Sequence, residues 1–343
     1  MTAESKPEPP PQRTRDMLVY TVVVTHNATR WIDKCLNSLE RSSVRTNILI
    51  IDNKSSDDTR HQIRMRFSTV ELIETDSNRG FGCANNIGLC KALSQNADFV
   101  FLLNQDAAVE CDTIENLINA QQESGYDVIS PLHFNGRGTA LDTGFANCLK
   151  ESLTCESISD ILQGKTKRIY PTKYVNAAAW LLTNNCIRKV GGFDPSFFMY
   201  GEDDNYLMRV RYHDLQVGIC FKARIYHDRA DRNDSRWEGL YKTKNLAMLY
   251  LKDINKSEFA LLKSFLCIQV KILLKDILAL NLGHLVIQFR TNYYLGLNIR
   301  KIRKARKLAK ANCAFLHNST QANKQSNLIH SSSYTSSSKL KKE

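Results

Sequence analysis

Two periods of apolar residues alternate along the first third of the chain. Residues 18–25 read Leu-Val-Tyr-Thr-Val-Val-Val-Thr, a β-branched run with no polar face, which predicts a strand buried on both sides. Shorter runs of the same kind predict strands over residues 47–52, 70–74, 99–103 and 127–130. Between them, apolar residues at helical spacing predict helices over residues 31–39, 84–94 and 112–123. Alternation of strand and helix predicts an α/β fold with a mostly parallel, Rossmann-like sheet. After Pro131 the pattern loosens, with Gly136, Gly138 and Gly144 marking turns, and a second block over residues 174–228 completes the domain. The chain thus divides into a polar, Pro-rich N-terminus (residues 1–16) expected to be disordered and an α/β domain over residues 17–252. A basic amphipathic helical region over residues 253–312 follows, then a Ser- and Lys-rich tail over residues 313–343, also expected to be disordered.

In parallel sheets of this kind, ligands sit beyond the carboxyl ends of the strands. Polar residues gather at those ends here. Thr25, His26 and Asn27 follow the first strand, Asp52 and Asn53 the second, and Asn104, Gln105 and Asp106 the strand over residues 99–103. Three clusters around one rim predict a binding site.

Composition narrows the partners. With 343 residues, 43% hydrophobic and 24% charged, the chain can bury a sizeable core. A net charge of +12 favours a polyanionic neighbour, which nucleic acid, anionic lipid or a phosphorylated substrate would each satisfy. No nucleic-acid motif accompanies the basic residues, which argues against the first. The ten cysteines stand singly, without metal-binding spacing. Cys35, Cys90, Cys186, Cys220 and Cys267 read as small buried hydrophobes in a reducing compartment. The N-terminus lacks the apolar run of a signal peptide. No stretch of about 18 uninterrupted apolar residues predicts a transmembrane helix.

Five segments carry candidate chemistry. In residues 52–59, Asp52 closes a buried strand where a carboxylate can accept the imino hydrogen of a pyrimidine ring, and Ser56 and Asp57 suit the cap of a following helix. Residues 78–86 place Gly80 and Gly82 among Asn78, Asn85 and Asn86 at a helix start, where backbone amides favour phosphate and Arg79 adds a charge-assisted contact. In residues 102–106, Asp106 follows a buried strand and can ligate a divalent cation shared with substrate phosphates. Residues 197–204 lead through Phe197, Phe198, Met199, Tyr200 and Gly201 into Glu202, Asp203 and Asp204, at the start of a helix over residues 205–212. The helix N-terminus is expected to hold these acids as anions, one of them as a general base. His227 ends a short strand and is a candidate metal ligand. Each segment alone also has a plain structural reading as a turn, a cap or a buried polar group.

Taken in order, the five segments resemble the family-2 glycosyltransferases, in particular their bacterial rhamnosyltransferase-like branch. The resemblance runs from about Val19 to Asp228 and extends to about Leu251. It implies the A-type glycosyltransferase fold over residues 17–252 and inverting transfer from a nucleoside diphosphate sugar, with dTDP-rhamnose the leaning and UDP- and GDP-sugars alternatives. It implies donor binding by Thr25, Asn27, Asp52, Asn53, Asn78, Arg79 and Asn104. The cofactor it implies is a divalent metal ion, Mg²⁺ or Mn²⁺, on Asp106 and His227. The first acid of the family's Asp-x-Asp motif is Asn104 here. Asp203 matches the catalytic base beside Glu202, while Trp180 and Tyr200 fall where the acceptor binds. Asn205 stands where the branch often has another Asp, and reads as supporting structure.

Beyond the domain, residues 259–282 mix apolar runs with Lys263, Lys271 and Lys275, and residues 300–310 are densely basic. This is the pattern of helices lying in a lipid interface, whose anionic cytoplasmic leaflet attracts the basic run. The expected place is the cytoplasm, peripheral on the inner membrane, with a glycan or lipid-linked glycan acceptor in surface polysaccharide assembly and no nucleic acid. The alternative for these helices is packing on the α/β domain. The alternative for the whole chain is a non-catalytic nucleotide- or glycan-binding protein on the same fold.

Overall fold

The computed structural model describes residues 17–165, 167–229, 236–278 and 282–316. Residues 1–16 and 317–343, which were expected to be disordered, lie outside the described residues. The first half comprises β1 (Val19–Thr25), α1 (Ile32–Glu40), β2 (Asn47–Asp52), α2 (Thr59–Arg66), β3 (Glu71–Glu74), α3 (Phe81–Ser94) and β4 (Phe99–Asn104). There follow β5 (Ala107–Val109), α4 (Thr113–Ser124), β6 (Val128–Asn135), α5 (Thr143–Ser152), α6 (Cys155–Leu162) and β7 (Ile169–Pro171). The domain closes with β8 (Ala179–Thr183), α7 (Asn184–Val190), α8 (Glu202–Tyr212) and β9 (Val217–His227). The C-terminal helices are α9 (Arg236–Lys252), α10 (Glu258–Leu278) and α11 (Leu282–Leu308).

One sheet runs β3-β2-β1-β4-β8-β6-β9-β5, with β7 also paired to β9. The strands β3, β2, β1 and β4 are mutually parallel; β8 is antiparallel to both β4 and β6, and β6 pairs parallel with β9. The expected parallel half is therefore joined to a mixed half of β8, β6, β9, β5 and β7, of which β5 and β7 span only three residues each.

Alternation along β1 and β4 sends side chains to both faces. Val22, Val100 and Leu102 meet Ala84 and Ile87 of α3 on one side. On the other, Val19, Val23 and Phe101 meet Ile32 and Leu36 of α1 and Ile114 of α4. Gly88 lets α3 approach closely, because a Cβ there would stand 2.4 Å from Val22 Cγ1.

Two registers position polar residues. Thr25 lies beside Asp52 across β1 and β2, and Val24 beside Asn104 across β1 and β4. Directly after Asp106 the chain enters β5, whose Ala107 lies opposite His227 of β9. A bend of one residue thus carries Asp106 from the rim to His227.

The C-terminal region returns to the domain rather than trailing away. Cys313 N donates to the Arg188 carbonyl and Gly192 N to that of Ala314, each at 2.8 Å, and Leu316 is buried in the core. Residues 313–316 are therefore packed structure, a correction to the boundary drawn from their polar sequence surroundings. Arg209, wholly buried, secures this junction: its guanidinium donates to the carbonyls of Val190 (2.8 Å) and Gly192 (2.5 Å) and lies 5.0 Å from the Phe315 ring. All ten cysteines are free, and Cys267, expected to be buried, is exposed on α10.

Helix α9 is tied to the domain by a buried ion pair. Lys252 Nζ lies 2.5 Å from Asp194 Oδ2 and donates to Ser196 Oγ at 2.7 Å. Both side chains are almost entirely removed from water, and burial pulls the Lys252 ammonium below its ordinary range. Lys252→Met would leave Asp194 buried without its cation, at a cost of about 3–5 kcal/mol. Urea unfolding followed by circular dichroism should show that loss. A loss below about 1 kcal/mol would mean that water replaces the lysine, as at an exposed pair.

Candidate active site

The rim begins with a closed network under the first two strands. Asp52 accepts from the Thr25 hydroxyl (3.0 Å), the Ser55 hydroxyl (2.5 Å) and the Ser55 amide (2.9 Å). Thr25 and Asp52 are wholly buried and Asn53 nearly so. The carboxylate expected to meet a pyrimidine is thus spent on shaping its own turn, and Thr25 and Asn53 likewise support rather than face the rim. This revises the donor contacts inferred for these three residues. Asn27, by contrast, is exposed in the left-handed region at φ 51, and its side-chain oxygen accepts from the Ser56 amide at 2.8 Å.

Asn53 links this network to the glycine-containing turn. Its amide donates to Asn78 Oδ1 at 2.9 Å, and its oxygen accepts from the Arg79 amide at 2.9 Å. Asn78 and Arg79 are half-buried at the surface of this turn. Gly80 has φ +80, and a Cβ there would stand 2.2 Å from the Phe198 carbonyl oxygen. Phe81 N donates to that oxygen at 3.3 Å. Helix α3 starts at Phe81, earlier than the apolar periodicity indicates, because Gly80 takes the capping position. Asn86 completes the junction, exchanging hydrogen bonds with the backbone of Phe193 at 2.6 and 2.9 Å. The segments over residues 78–86 and 193–201, more than a hundred residues apart, are therefore one structural unit.

That unit carries the acids. Gly201 precedes α8, and Glu202, Asp203 and Asp204 fill its first turn. Asn245 of α9 donates to the carbonyls of Met199 (2.7 Å) and Tyr200 (2.6 Å), holding Tyr200 at φ 65. The Tyr174 hydroxyl donates to Asp203 Oδ2 at 3.2 Å, and the Asp204 amide to Asp203 Oδ1 at 2.9 Å. The helix N-terminus does not keep these carboxyls low, contrary to the expectation, because burial raises all three. Burial, then the neighbouring Asp203, pushes the Glu202 carboxyl up to about 8; burial and Asp203 also push Asp204 up to about 7. Asp203 is raised too, by burial. Desolvation of this buried turn outweighs the helix dipole. Beside Tyr174 and Asp204, a cavity of about 430 Å³ opens between α8 and the Lys173 segment.

The third group centres on His227, wholly buried at the end of β9. Its Nε2 lies 3.2 Å from Asp106 Oδ1, and its Nδ1 lies 3.7 Å from Asp142 Oδ2. Asp142, which caps α5 by accepting from the Phe145 amide, is also paired to Arg229 at 2.8 Å. Asn104 Oδ1 is buried without a hydrogen-bond partner nearby. Among the described residues, no group of three or more His, Cys, Asp or Glu is arranged to hold a metal ion. The pair Asp106 and His227 with the unsatisfied Asn104 oxygen nevertheless suits a hard cation completed by substrate phosphates, since such cations take one or two protein carboxylates and fill the rest from the ligand.

Trp180 does not reach any of these groups. It is wholly buried on β8, paired across the sheet with Leu102, its ring 6.2 Å from Phe193 and 5.8 Å from Tyr206. Its assignment to the acceptor is corrected: the indole is core, underneath the turn that carries the acids. Tyr174, Asp142, Arg229 and the Lys252 to Asp194 pair were missed by sequence reasoning. Of these, only Asp142 left a signal, a capping-type residue ahead of an apolar helix turn.

Residues 20–147 match the family model described as Glycosyl transferase family 2. The low-salt glycan biosynthesis hexosyltransferase Agl10 of Haloferax volcanii is 24% identical over 209 residues, 60% of this chain and 66% of its own. The rhamnosyltransferase WbbL of Escherichia coli is 26% identical over 206 residues, 56% of this chain and 76% of its own. The chain thus spans just under two thirds of the first of these relatives. Among solved structures, S. aureus TarS 1-349 in complex with UDP aligns with a TM-score of 0.51 at 16% identity, covering 73% of this chain and 71% of that one. GalNAc-T7 with UDP, GalNAc and Mn2+ aligns with a TM-score of 0.51 at 15% identity, covering 69% and 50%. These neighbours share the expected A-type glycosyltransferase fold.

The raised acids set a pH dependence. A carboxyl whose folded pKa exceeds its unfolded value binds more protons when folded, so stability falls as pH rises from the unfolded value of about 4.5 towards 8. Urea midpoints measured across that window should decline more steeply for the wild type than for Glu202→Gln. Parallel curves for the two proteins would show that Glu202 ionises freely.

Proposed function

We propose that this protein, whose residues 20–147 match the family-2 glycosyltransferase model, transfers a sugar, with rhamnose the first candidate, from a nucleoside diphosphate sugar to a glycan or lipid-linked glycan acceptor. Surface polysaccharide assembly is the setting this reading implies. The observation that carries it is the junction of Gly80 with Phe198, which seats the acid-bearing start of α8 against the rim of the parallel strands. UDP and UDP-GlcNAc in structures of TarS, and the names of the two curated relatives, support a nucleotide-sugar donor and a hexosyl or rhamnosyl group.

In this reading Asn27, Asn78 and Arg79 line the donor side, where the Arg79 guanidinium receives phosphate oxygens. A divalent cation, Mg²⁺ or Mn²⁺, held by Asp106 and His227 with Asn104 beside them, would offset charge on the diphosphate. The acceptor enters from the cavity beside Tyr174, and Tyr200, in the turn before α8, offers it an aromatic face. Asp203 takes the proton of the acceptor hydroxyl while that oxygen bonds to the anomeric carbon and the bond to the diphosphate oxygen breaks. Attack from the face opposite the leaving group inverts the anomeric centre. Burial raises the Asp203 carboxyl above its ordinary range, which makes its carboxylate a stronger proton acceptor. Tyr174 holds the carboxylate in place through its hydroxyl.

Donor binding and turnover with dTDP-, UDP- and GDP-sugars, with and without Mg²⁺ or Mn²⁺, test this. Asp203→Asn should lower transfer about 10²–10⁴-fold with donor affinity retained. Asp106→Ala should remove the metal-dependent part of donor binding. No donor bound by folded protein under any condition would leave a non-catalytic protein on the same fold. Loss of donor affinity in Asp203→Asn would move Asp203 to the donor side.

A further inference from the structure

Helices α10 and α11 have two unlike faces. The inner face packs on the domain: Leu261, Leu295 and Ile302 are buried, the latter two joining Met248 and Leu249 of α9 in a cluster with Phe197. The outer face is bare. On α10 it presents Phe259, Leu262, Leu266, Val270, Leu273 and Ile277, spaced three or four residues apart and hence on one side of the helix. On α11 the same spacing continues through Val286, Phe289, Tyr293 and Leu297. Phe259 is 77% exposed, Leu278 85% and Phe289 74%. Single exposed apolar residues are ordinary, but a stripe over two packed helices marks an interaction surface.

The chemistry changes along α11. Arg300, Lys301, Arg303, Lys304, Lys307 and Lys310 are exposed, whereas Arg306 turns inward to the carbonyls of Asp253 and Lys256. Residues 258–310 hold eleven Lys and Arg against two acids, Glu258 and Asp276, so most of the net charge of +12 resides here. A second copy of this chain would bring two such positive surfaces together, which electrostatic repulsion opposes. An anionic bilayer satisfies both parts at once, taking the apolar stripe at the acyl boundary and the cations among its headgroups. Among the described residues no helix is long and apolar enough to cross a membrane, so the pair would lie in the surface.

We propose that α10 and α11 dock the protein on an anionic leaflet, such as the cytoplasmic face of the inner membrane, through the stripe from Phe259 to Leu297 and the basic end of α11. The proposal stands on this surface alone, independently of sugar transfer. Full-length protein should co-sediment with vesicles of phosphatidylcholine and phosphatidylglycerol, less so at high salt, and not with phosphatidylcholine alone. Neutralising three exposed cations (Arg300→Gln, Lys301→Gln and Lys304→Gln together) should weaken binding about 100-fold. Phe289→Ser, at an exposed site, should weaken it without altering the fold seen by circular dichroism. Folded protein that ignores anionic vesicles, or binds them equally well after neutralisation, would overturn the proposal. So would a dimer in sedimentation analysis that Phe289→Ser dissolves while vesicle binding stays unchanged. Capture of nucleic acid in place of vesicles would give the basic face to another polyanion.

Discussion

A single buried lysine holds together what the chain otherwise keeps apart. Lys252 ends α9, and its ammonium group is spent on Asp194 and Ser196 in the turn that leads to the acids of α8. Taking both charges out of water is costly, and the close contact, the added hydroxyl bond and the nearby Phe197 ring offset it. The same helix contributes Asn245, which fixes the carbonyls of Met199 and Tyr200. The acid-bearing turn is thereby clamped from outside by α9, while from inside it rests on Gly80 and Asn86 of the α3 segment. Two independent clamps explain how a turn containing Tyr200 at positive φ and three adjacent acids can persist.

The cost of assembling those acids falls on their protonation. Burial in one helical turn raises all three carboxyls, and the Asp203 charge adds to the rise at Glu202 and Asp204. A surface base with an ordinary carboxylate pKa would be a weak proton acceptor; a desolvated one is stronger. Tyr174 then decides orientation, since its hydroxyl bonds one oxygen of Asp203 while the Asp204 amide bonds the other. The opposite strategy appears under the first strands, where Asp52 receives three hydrogen bonds and serves architecture. Two buried carboxylates thus take different parts through their partners.

What the sequence displays and what it hides follow from the range of the interactions. Residues 18–25, 47–52 and 99–103 announce buried parallel strands because every position but the terminal Asn47 and Asp52 is apolar or β-branched, and the position of Asn27 and Asp106 beyond those strands follows from strand ends alone. Burial of Thr25, Asp52 and Asn53 was invisible, because whether a polar side chain points to solvent or to a neighbouring turn depends on bonds to Ser55 and Asn78 that no periodicity encodes. Trp180 misled for a related reason. An aromatic near a predicted site can serve as platform or as core, and only the pairing of β8 with β4 places it inside. Tyr174 and Lys252 act over 29 and 58 residues of separation, beyond any local signal.

The clamp by α9 also has a consequence for how the two parts of the molecule communicate. The hydrophobic cluster that seats the C-terminal helices includes Phe197, which belongs to the acid-bearing turn, and Met208, which belongs to α8. Lys252 lies over the same Phe197 ring at 5.4 Å. A force on the helical pair is therefore delivered to the turn that carries Tyr200 and Asp203 through packed side chains. Close-packed interiors transmit displacement rather than absorb it. A surface that held α10 and α11 would hold the acids in register with it, so the orientation of the cavity beside Tyr174 would be set by the same contacts that set the position of the helices.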